Sequence, residues 1–147
     1  MTTRQSDGPE YQLRIQVRPS QLSEVRRSVS ERLDLWGLAA LSDDVCIVLT
    51  EALSNVHKHA GGGFSDIALW CSGAYLWTMV SDSSHDMPVL KDPDLTMSSG
   101  RGMRLIEALT DNWLVIPSHA GKWLVCWFAV PSTVMPTAAE ELEQCYP

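Results

Sequence analysis

The chain has 147 residues, of which 45% are apolar and 20% charged, a composition typical of a folded globular protein rather than a disordered one. A chain of this length is expected to form one domain and to build a hydrophobic core without disulfides or metal ions. Its net charge of −7 repels phosphate backbones, and no cluster of lysines and arginines offsets that charge, which argues against direct binding of DNA or RNA.

The lack of an apolar targeting segment and the spacing of the cysteines both favour the cytoplasm. The first residues have no apolar stretch of the kind found in signal peptides, and no apolar run approaches the roughly 20 residues that a membrane span needs. The four cysteines are far apart and form neither a CxxC pair nor a Cys/His cluster, so we expect reduced thiols and no zinc site. We therefore predict a cytoplasmic protein without a membrane partner.

The composition changes near both ends of the chain. Residues 1–9 are polar and close with Gly8-Pro9, and after Val130 the chain has Pro131, Pro136, small residues and then several glutamates. We predict that residues 1–10 are a flexible N-terminus, that residues 132–147 are a flexible acidic tail, and that residues 11–131 form the domain.

The pattern of apolar residues predicts a chain order of strands and helices. Apolar residues alternate over residues 11–17, which indicates a strand. Pro19 opens a helix that ends at Gly37, and Ser42 begins a second helix that ends at the glycines of residues 61–63. The remaining elements are, in order, strands at 64–71 and 74–81, a loop at 82–99, a helix from after Gly100 to about Thr110, and strands at 112–117 and 121–130. This order predicts an α+β, two-layer sandwich, in which helices cover one face of a mixed, mostly antiparallel sheet.

The second predicted helix carries a polar stripe. Glu51, Asn55 and His59 are four residues apart, so they lie on one helix face. A carboxylate and a carboxamide one turn apart offer a general base and an oxygen ligand for Mg²⁺. The alternative is that these are ordinary residues on the solvent side of the helix.

Two further segments carry groups suited to a nucleotide. Asp82 ends a strand, where a carboxylate can accept a hydrogen bond from an exocyclic amine such as that of adenine, although Asp is also an ordinary turn former. Gly100, Arg101 and Gly102 lie at the N-terminus of a predicted helix, where backbone N–H groups can approach an anion closely and the arginine adds positive charge. A plain loop-to-helix turn is the alternative for this last segment.

The three segments in this order resemble the ATP-binding domain shared by gyrase, Hsp90, histidine kinases and MutL. The sequences EALSNVHKHA (residues 51–60) and SGRGMRLIEAL (residues 99–109) are similar to those of bacterial anti-sigma factor serine/threonine kinases of the RsbW/SpoIIAB type. The resemblance covers about residues 11–130 and implies the Bergerat-type ATP-binding fold, with ATP and Mg²⁺ as cofactors.

The resemblance also implies roles for individual residues. It makes Asn55 the ligand of a Mg²⁺ that bridges the nucleotide phosphates, and Glu51 the general base toward a hydroxyl nucleophile. Asp82 would receive the adenine amino group, and His59 would be structural. The phosphates would be wrapped by the segment that contains Gly100, Arg101 and Gly102.

The chain departs from the family after Asp82. Family members usually have glycines two and four residues later, where the chain passes close to the base, and here these positions are Ser84 and Asp86. Ser84 is small and stays in the predicted cofactor-binding set, whereas Asp86 adds bulk and negative charge. The departure leaves open whether nucleotide binding is weakened.

Three functions therefore remain open. The first is a kinase that phosphorylates a serine or threonine of a STAS-type anti-sigma antagonist and sequesters a sigma factor. The second is a catalytically lapsed, partner-binding regulator with weak or no nucleotide binding, and the third is a metabolic domain without a nucleotide.

The six tryptophans are expected mainly in the core or on the sheet, where one or two exposed rings would anchor a homodimer or another partner.

Overall fold

A computed structural model of the chain describes residues 8–60, 63–84 and 98–131. The predictions made for Asp86, for the acidic tail and for residues 1–7 lie outside the described residues, as do the side chains of His59 and Arg101. Within the described part, no helix has the length and apolar character needed to cross a membrane.

Strands and helices follow one another in the predicted order, and the α+β class is confirmed. The described elements are β1 (Glu10–Gln16), α1 (Leu22–Leu35), α2 (Ser42–Ala60), β2 (Phe64–Ser72), β3 (Tyr75–Asp82), α3 (Ser98–Leu109), β4 (Asn112–Ser118) and β5 (Gly121–Ala129). Short 3-10 turns at Pro19–Gln21 and Ala39–Leu41 lead into α1 and α2.

The five strands form one sheet in the order β1-β2-β3-β5-β4. All four pairings are antiparallel, so the mostly antiparallel sheet is confirmed, and no parallel pair occurs among the described strands. After α3 the chain re-enters the sheet as β4, which runs in the same direction as β3. No parallel pair forms between these two strands, because β5 lies between them and hydrogen-bonds to both.

Local sequence explains where the first two helices begin and end. Val25, Val29 and Leu33 form the buried stripe of α1 that the spacing predicts. Gly37 follows with a φ of 74°, a left-handed conformation that glycine adopts without steric cost and that stops the helix. Two aspartates in the first turn of α2 interact favourably with the positive end of its dipole.

The hydrophobic core lies between the helices and one face of the sheet. Its strand residues are every second residue, such as Leu69 in β2, Leu76 in β3 and Phe128 in β5, each no more than 2% exposed. Leu49 and Leu53 of α2 are fully buried against them. Because full burial of such a side chain contributes about 1.5–3 kcal/mol, this layer supplies much of the stability that fixes α2 over the sheet.

The opposite face of the sheet carries a row of three tryptophans, hereafter the tryptophan row. Trp70, Trp77 and Trp127 are cross-strand neighbours on β2, β3 and β5. Their ring centroids are 6.1 Å apart in the first pair and 4.9 Å in the second, so each ring covers the next. Trp36 is buried in the core instead, and Trp113 packs against the core from β4.

Candidate functional site

Gly102 of α3 lies directly against the polar stripe of α2. A Cβ atom added at this glycine would lie 3.1 Å from Asn55 Nδ2, 3.2 Å from Asn55 Oδ1 and 3.2 Å from Glu51 Oε2. These distances are shorter than ordinary van der Waals contacts, so the absence of a side chain at Gly102 lets the two helices approach. The structure thus brings together Glu51, Asn55 and Gly102, three of the predicted site residues.

The start of α3 differs from the expectation. The sequence predicts that the helix begins after Gly100, but it begins at Ser98, so Gly100 lies within its first turn and Gly102 lies one turn further in than expected. The backbone of Gly102 does not have a positive φ, and the conformational freedom of glycine is therefore not needed there. What Gly102 contributes is the space that a side chain would fill beside α2.

Glu51 and Asn55 have no polar partner in the described part of the chain. Both side chains are half-buried, and neither makes a hydrogen bond or an ion pair with another described residue. Polar groups beside a core usually bond to the protein or to water, so an unpaired carboxylate next to an unpaired carboxamide is well suited to a ligand. Their outer atoms lie beside the first turns of α3, the helix end whose N–H groups and dipole attract anions.

A second polar cluster lies where β3 ends beside the start of β5. Asp82 and Lys122 are cross-strand neighbours, and Lys122 Nζ lies 3.0 Å from Asp82 Oδ2. Only 8% of the Lys122 side chain and 10% of the Asp82 side chain are exposed. The backbone N–H of Ser84 donates to Asp82 Oδ1 at 2.8 Å, and Lys122 Nζ donates to the Ser84 carbonyl at 2.9 Å. The predicted adenine acceptor therefore lies in a hydrogen-bonded network with Lys122 and the backbone of Ser84.

Lys122 was not selected from the sequence, although a signal for it exists. Alternation in β5 places it on the same face as Leu124, Cys126 and Phe128, which contribute to the core. A lysine at a core-facing position needs a buried anion, because a desolvated ammonium without a partner is costly. The identity of that anion depends on strand register, which the sequence pattern does not specify.

Gly121 holds the ends of β3 and β5 close together. Its φ is 142°, and a Cβ atom at this position would overlap the carbonyl oxygen of Asp82. Any other residue here would push the β3 end away. Gly121 therefore allows the approach that the ion pair between Asp82 and Lys122 requires.

The described residues offer few ligands for a metal ion. They include no group of three or more His, Cys, Asp or Glu side chains that could hold one. Mg²⁺ nevertheless needs few protein ligands, because it commonly keeps water and substrate phosphates around it. The unpaired carboxamide oxygen of Asn55 fits that requirement, and the carboxylate of Glu51 lies one turn away.

The cysteines in the described part of the chain are free and buried. Cys46, Cys71 and Cys126 form no disulfide, which agrees with the expectation of thiols at these three positions. Burial raises the pKa of the Cys71 thiol to about 11 and that of the Cys126 thiol to about 12. Both thiols are therefore protonated at neutral pH and take no part in the polar clusters.

Comparison with known proteins identifies the family. The model of the histidine kinase-like ATPase domain matches residues 15–126, about three quarters of the chain. The matched segment includes α2, β3, α3 and most of β5, and so covers both polar clusters. No curated protein matches the chain. The sequence therefore belongs to the histidine kinase-like ATPase domain family, and this membership implies that it binds ATP.

Proposed function

We propose that this domain binds ATP with Mg²⁺ beside α2 and α3, and transfers the γ-phosphate to a serine or threonine of a STAS-type anti-sigma antagonist. Capture of a sigma factor would be the regulated output, and the setting would be the cytoplasm. The observation that carries the proposal is the close contact between Gly102 and the unpaired side chains of Glu51 and Asn55.

The phosphate end of the nucleotide is assigned to the first turns of α3. The positive end of the helix dipole and the N–H groups there favour an anion, and the missing side chain of Gly102 lets Asn55 and Glu51 lie close to this end of the helix. The carboxamide oxygen of Asn55 would hold Mg²⁺, which supplies positive charge that neutralises the phosphates. Because the metal ion neutralises part of the phosphate charge, a chain with a net charge of −7 can still bind a nucleotide at this site.

Glu51 is assigned as the general base. Its carboxylate lies one helical turn from Asn55 and would therefore be close to the γ-phosphate. The carboxylate accepts the proton of an incoming serine or threonine hydroxyl while the oxygen of that hydroxyl forms a bond to the γ-phosphorus. The bond from that phosphorus to the bridging oxygen breaks, and ADP leaves with the electron pair. General-base catalysis of this kind is worth about 10²–10⁴-fold in rate.

The base end of the nucleotide is assigned to Asp82. Each oxygen of a carboxylate can accept two hydrogen bonds, so the bonds to Lys122 and to the Ser84 N–H leave capacity for the exocyclic amine of adenine. Guanine has a carbonyl where adenine has this amine. We therefore expect the protein to bind ATP more tightly than GTP.

A second function is favoured by one observation. Asp82 already has a buried ionic partner in Lys122, which competes with an added ligand for the same carboxylate. This favours a partner-binding regulator with weak or no nucleotide binding. Such a regulator would use a protein surface, and the face with the tryptophan row also exposes Phe64, Leu114 and Ile116, which suit a homodimer contact.

Phosphoryl transfer to the purified antagonist, followed with labelled ATP, separates the two functions. The parent should produce a phosphoprotein, and Glu51→Ala should abolish transfer while still binding ATP, because the carboxylate acts on the attacking hydroxyl. Asp44→Ala is a matched control, since Asp44 is an exposed carboxylate of the same helix without an ion pair in the described structure. It should leave transfer unchanged.

The alternative makes a different prediction for the same assay. A lapsed regulator yields no phosphoprotein from the parent, although the complex with the antagonist or sigma factor still forms and survives Glu51→Ala. That result would reject the kinase and retain a sequestering protein. Transfer by Glu51→Ala at the parent rate would remove Glu51 from the catalytic step.

A further inference from the structure

The ammonium group of Lys122 has two acceptors among the described residues, which leaves its third N–H without one there. An ammonium has three N–H donors, and here two of them are directed at Asp82 Oδ2 and the Ser84 carbonyl, at 3.0 and 2.9 Å. No other described residue accepts a hydrogen bond from Lys122. With only 8% of its side chain exposed, the third N–H has little access to bulk water. A buried donor left in this way is unusual in proteins and indicates a missing acceptor.

Stability alone does not account for a lysine at this position. Replacing a buried ion pair with apolar residues of similar volume is often neutral or stabilising, so such a pair is weak support for a structural role. Lys122 faces the same side of β5 as Leu124 and Cys126, where apolar residues form the core. An apolar pair here would give the same fold without a costly desolvated charge, which points to a ligand as the reason for the lysine.

Asp82 and Lys122 place a hydrogen-bond acceptor and a hydrogen-bond donor side by side. Asp82 is the acceptor, and the remaining N–H of Lys122 is the donor, with the two charged groups 3.0 Å apart. The Watson–Crick edge of adenine has the complementary arrangement, a donor at its 6-amino group next to an acceptor at N1. A ligand that meets both groups would satisfy the unpaired donor and the free lone pairs of the carboxylate together.

We propose that Lys122 is a specificity-determining residue of the nucleotide site, which donates to N1 of adenine while Asp82 accepts from the 6-amino group. This inference rests on the proposed nucleotide binding and extends it from one base-reading residue to two. Lys122 thereby becomes a contact of the base rather than a competitor for Asp82.

The test compares ATP with 1-deaza-ATP, in which a C–H replaces N1 and the 6-amino group is kept. Calorimetry is carried out on the full chain, on Lys122→Met and on Lys58→Met, a control that removes an exposed lysine from α2. The parent and the control should bind ATP about tenfold more tightly than 1-deaza-ATP, because a hydrogen bond from a charged donor is lost. Lys122→Met should bind the two nucleotides equally. A purely structural role would weaken both nucleotides by the same factor and keep their ratio.

Each result decides the inference. Equal binding of ATP and 1-deaza-ATP by the parent overturns it, and this comparison needs no variant, so it holds even where Lys122→Met fails to fold. A ratio that stays unchanged in Lys122→Met, or tighter ATP binding by that variant, also overturns it. Failure of the proposed function is distinguishable, because the parent would then bind neither nucleotide, whereas ATP binding without discrimination removes the role of Lys122 alone.

Discussion

Gly102 offers the most direct test of the candidate site, because one methyl group there should separate stability from ligand binding. In Gly102→Ala the new Cβ would meet Asn55 Nδ2 at 3.1 Å and Glu51 Oε2 at 3.2 Å. Both atoms are the ends of side chains that can rotate. The change therefore moves the two polar groups by a few tenths of an ångström without displacing the backbone of α2.

The effect on stability is expected to be small, since two contributions oppose each other. Alanine is favoured over glycine within a helix by about 1 kcal/mol, and Gly102 has no positive φ that alanine would have to adopt. Displacing two side-chain ends costs a similar amount. For a chain of this size a change of 1 kcal/mol shifts Tm by about 2–4 °C, so we expect Tm to move by no more than that.

The effect on ATP binding is expected to be larger. Hydrogen bonds and ligand contacts to charged groups contribute about 1.5–3 kcal/mol, so displacing the Asn55 carboxamide from its position should raise the Kd for ATP with Mg²⁺ at least tenfold. Calorimetry measures the Kd, and thermal melting measures stability on the same samples.

Ala108→Gly is the control for this experiment. Ala108 is exposed on α3, and its replacement should cost about 1 kcal/mol of helix stability without changing the Kd. The reasoning fails if Gly102→Ala binds ATP as tightly as the parent. It fails equally if binding is lost only together with a large drop in Tm, since general disruption of α3 would then explain the loss.

Three further changes test the surroundings of the site. Asp82→Ala leaves the ammonium of Lys122 without its carboxylate, so urea unfolding should show a loss of about 3–5 kcal/mol, and adding Lys122→Met should recover most of it. Gly121→Ala should destabilise the chain by about 1–3 kcal/mol in the same assay, because its Cβ would overlap the Asp82 carbonyl, and near-parental stability would contradict the described turn. The third change is in pH. Burial raises the pKa of Cys71 to about 11 and of Cys126 to about 12, so above pH 9 these thiols are deprotonated in the unfolded chain while they are still protonated in the folded chain. The free energy of unfolding should then fall by about 1.4 kcal/mol per pH unit for each thiol, and the slope between about pH 9 and 11 should flatten in the Cys71→Ala, Cys126→Ala double variant.

Local patterns predicted most of the secondary structure, because the signals for it are short in sequence. Ser42 marks the start of α2, and the left-handed Gly37 and Gly73 mark the end of α1 and the β2–β3 turn. The helix motif with Glu51 and Asn55 likewise depends only on residues one turn apart. Such features need no knowledge of how distant segments meet.

Features that depend on distant segments were not predicted. The ion pair between Asp82 and Lys122 joins residues 40 positions apart and follows from the register of β3 with β5. The position of β5 between β3 and β4, which makes every pairing antiparallel, is also a property of the whole sheet. The contact of Gly102 with α2 depends in the same way on how two helices cross. A single sequence specifies these only through the sum of its packing energies.

The tryptophan row gives the molecule an optical property of its own. Indole rings whose centroids are 4.9 and 6.1 Å apart have electronic transitions that couple, so part of the circular dichroism arises from ring geometry rather than from the backbone. This signal belongs to Trp70, Trp77 and Trp127 and therefore reports the register of β2, β3 and β5. The helical signal comes from the other side of the sheet. One spectrum thus follows the two layers of the sandwich separately during unfolding.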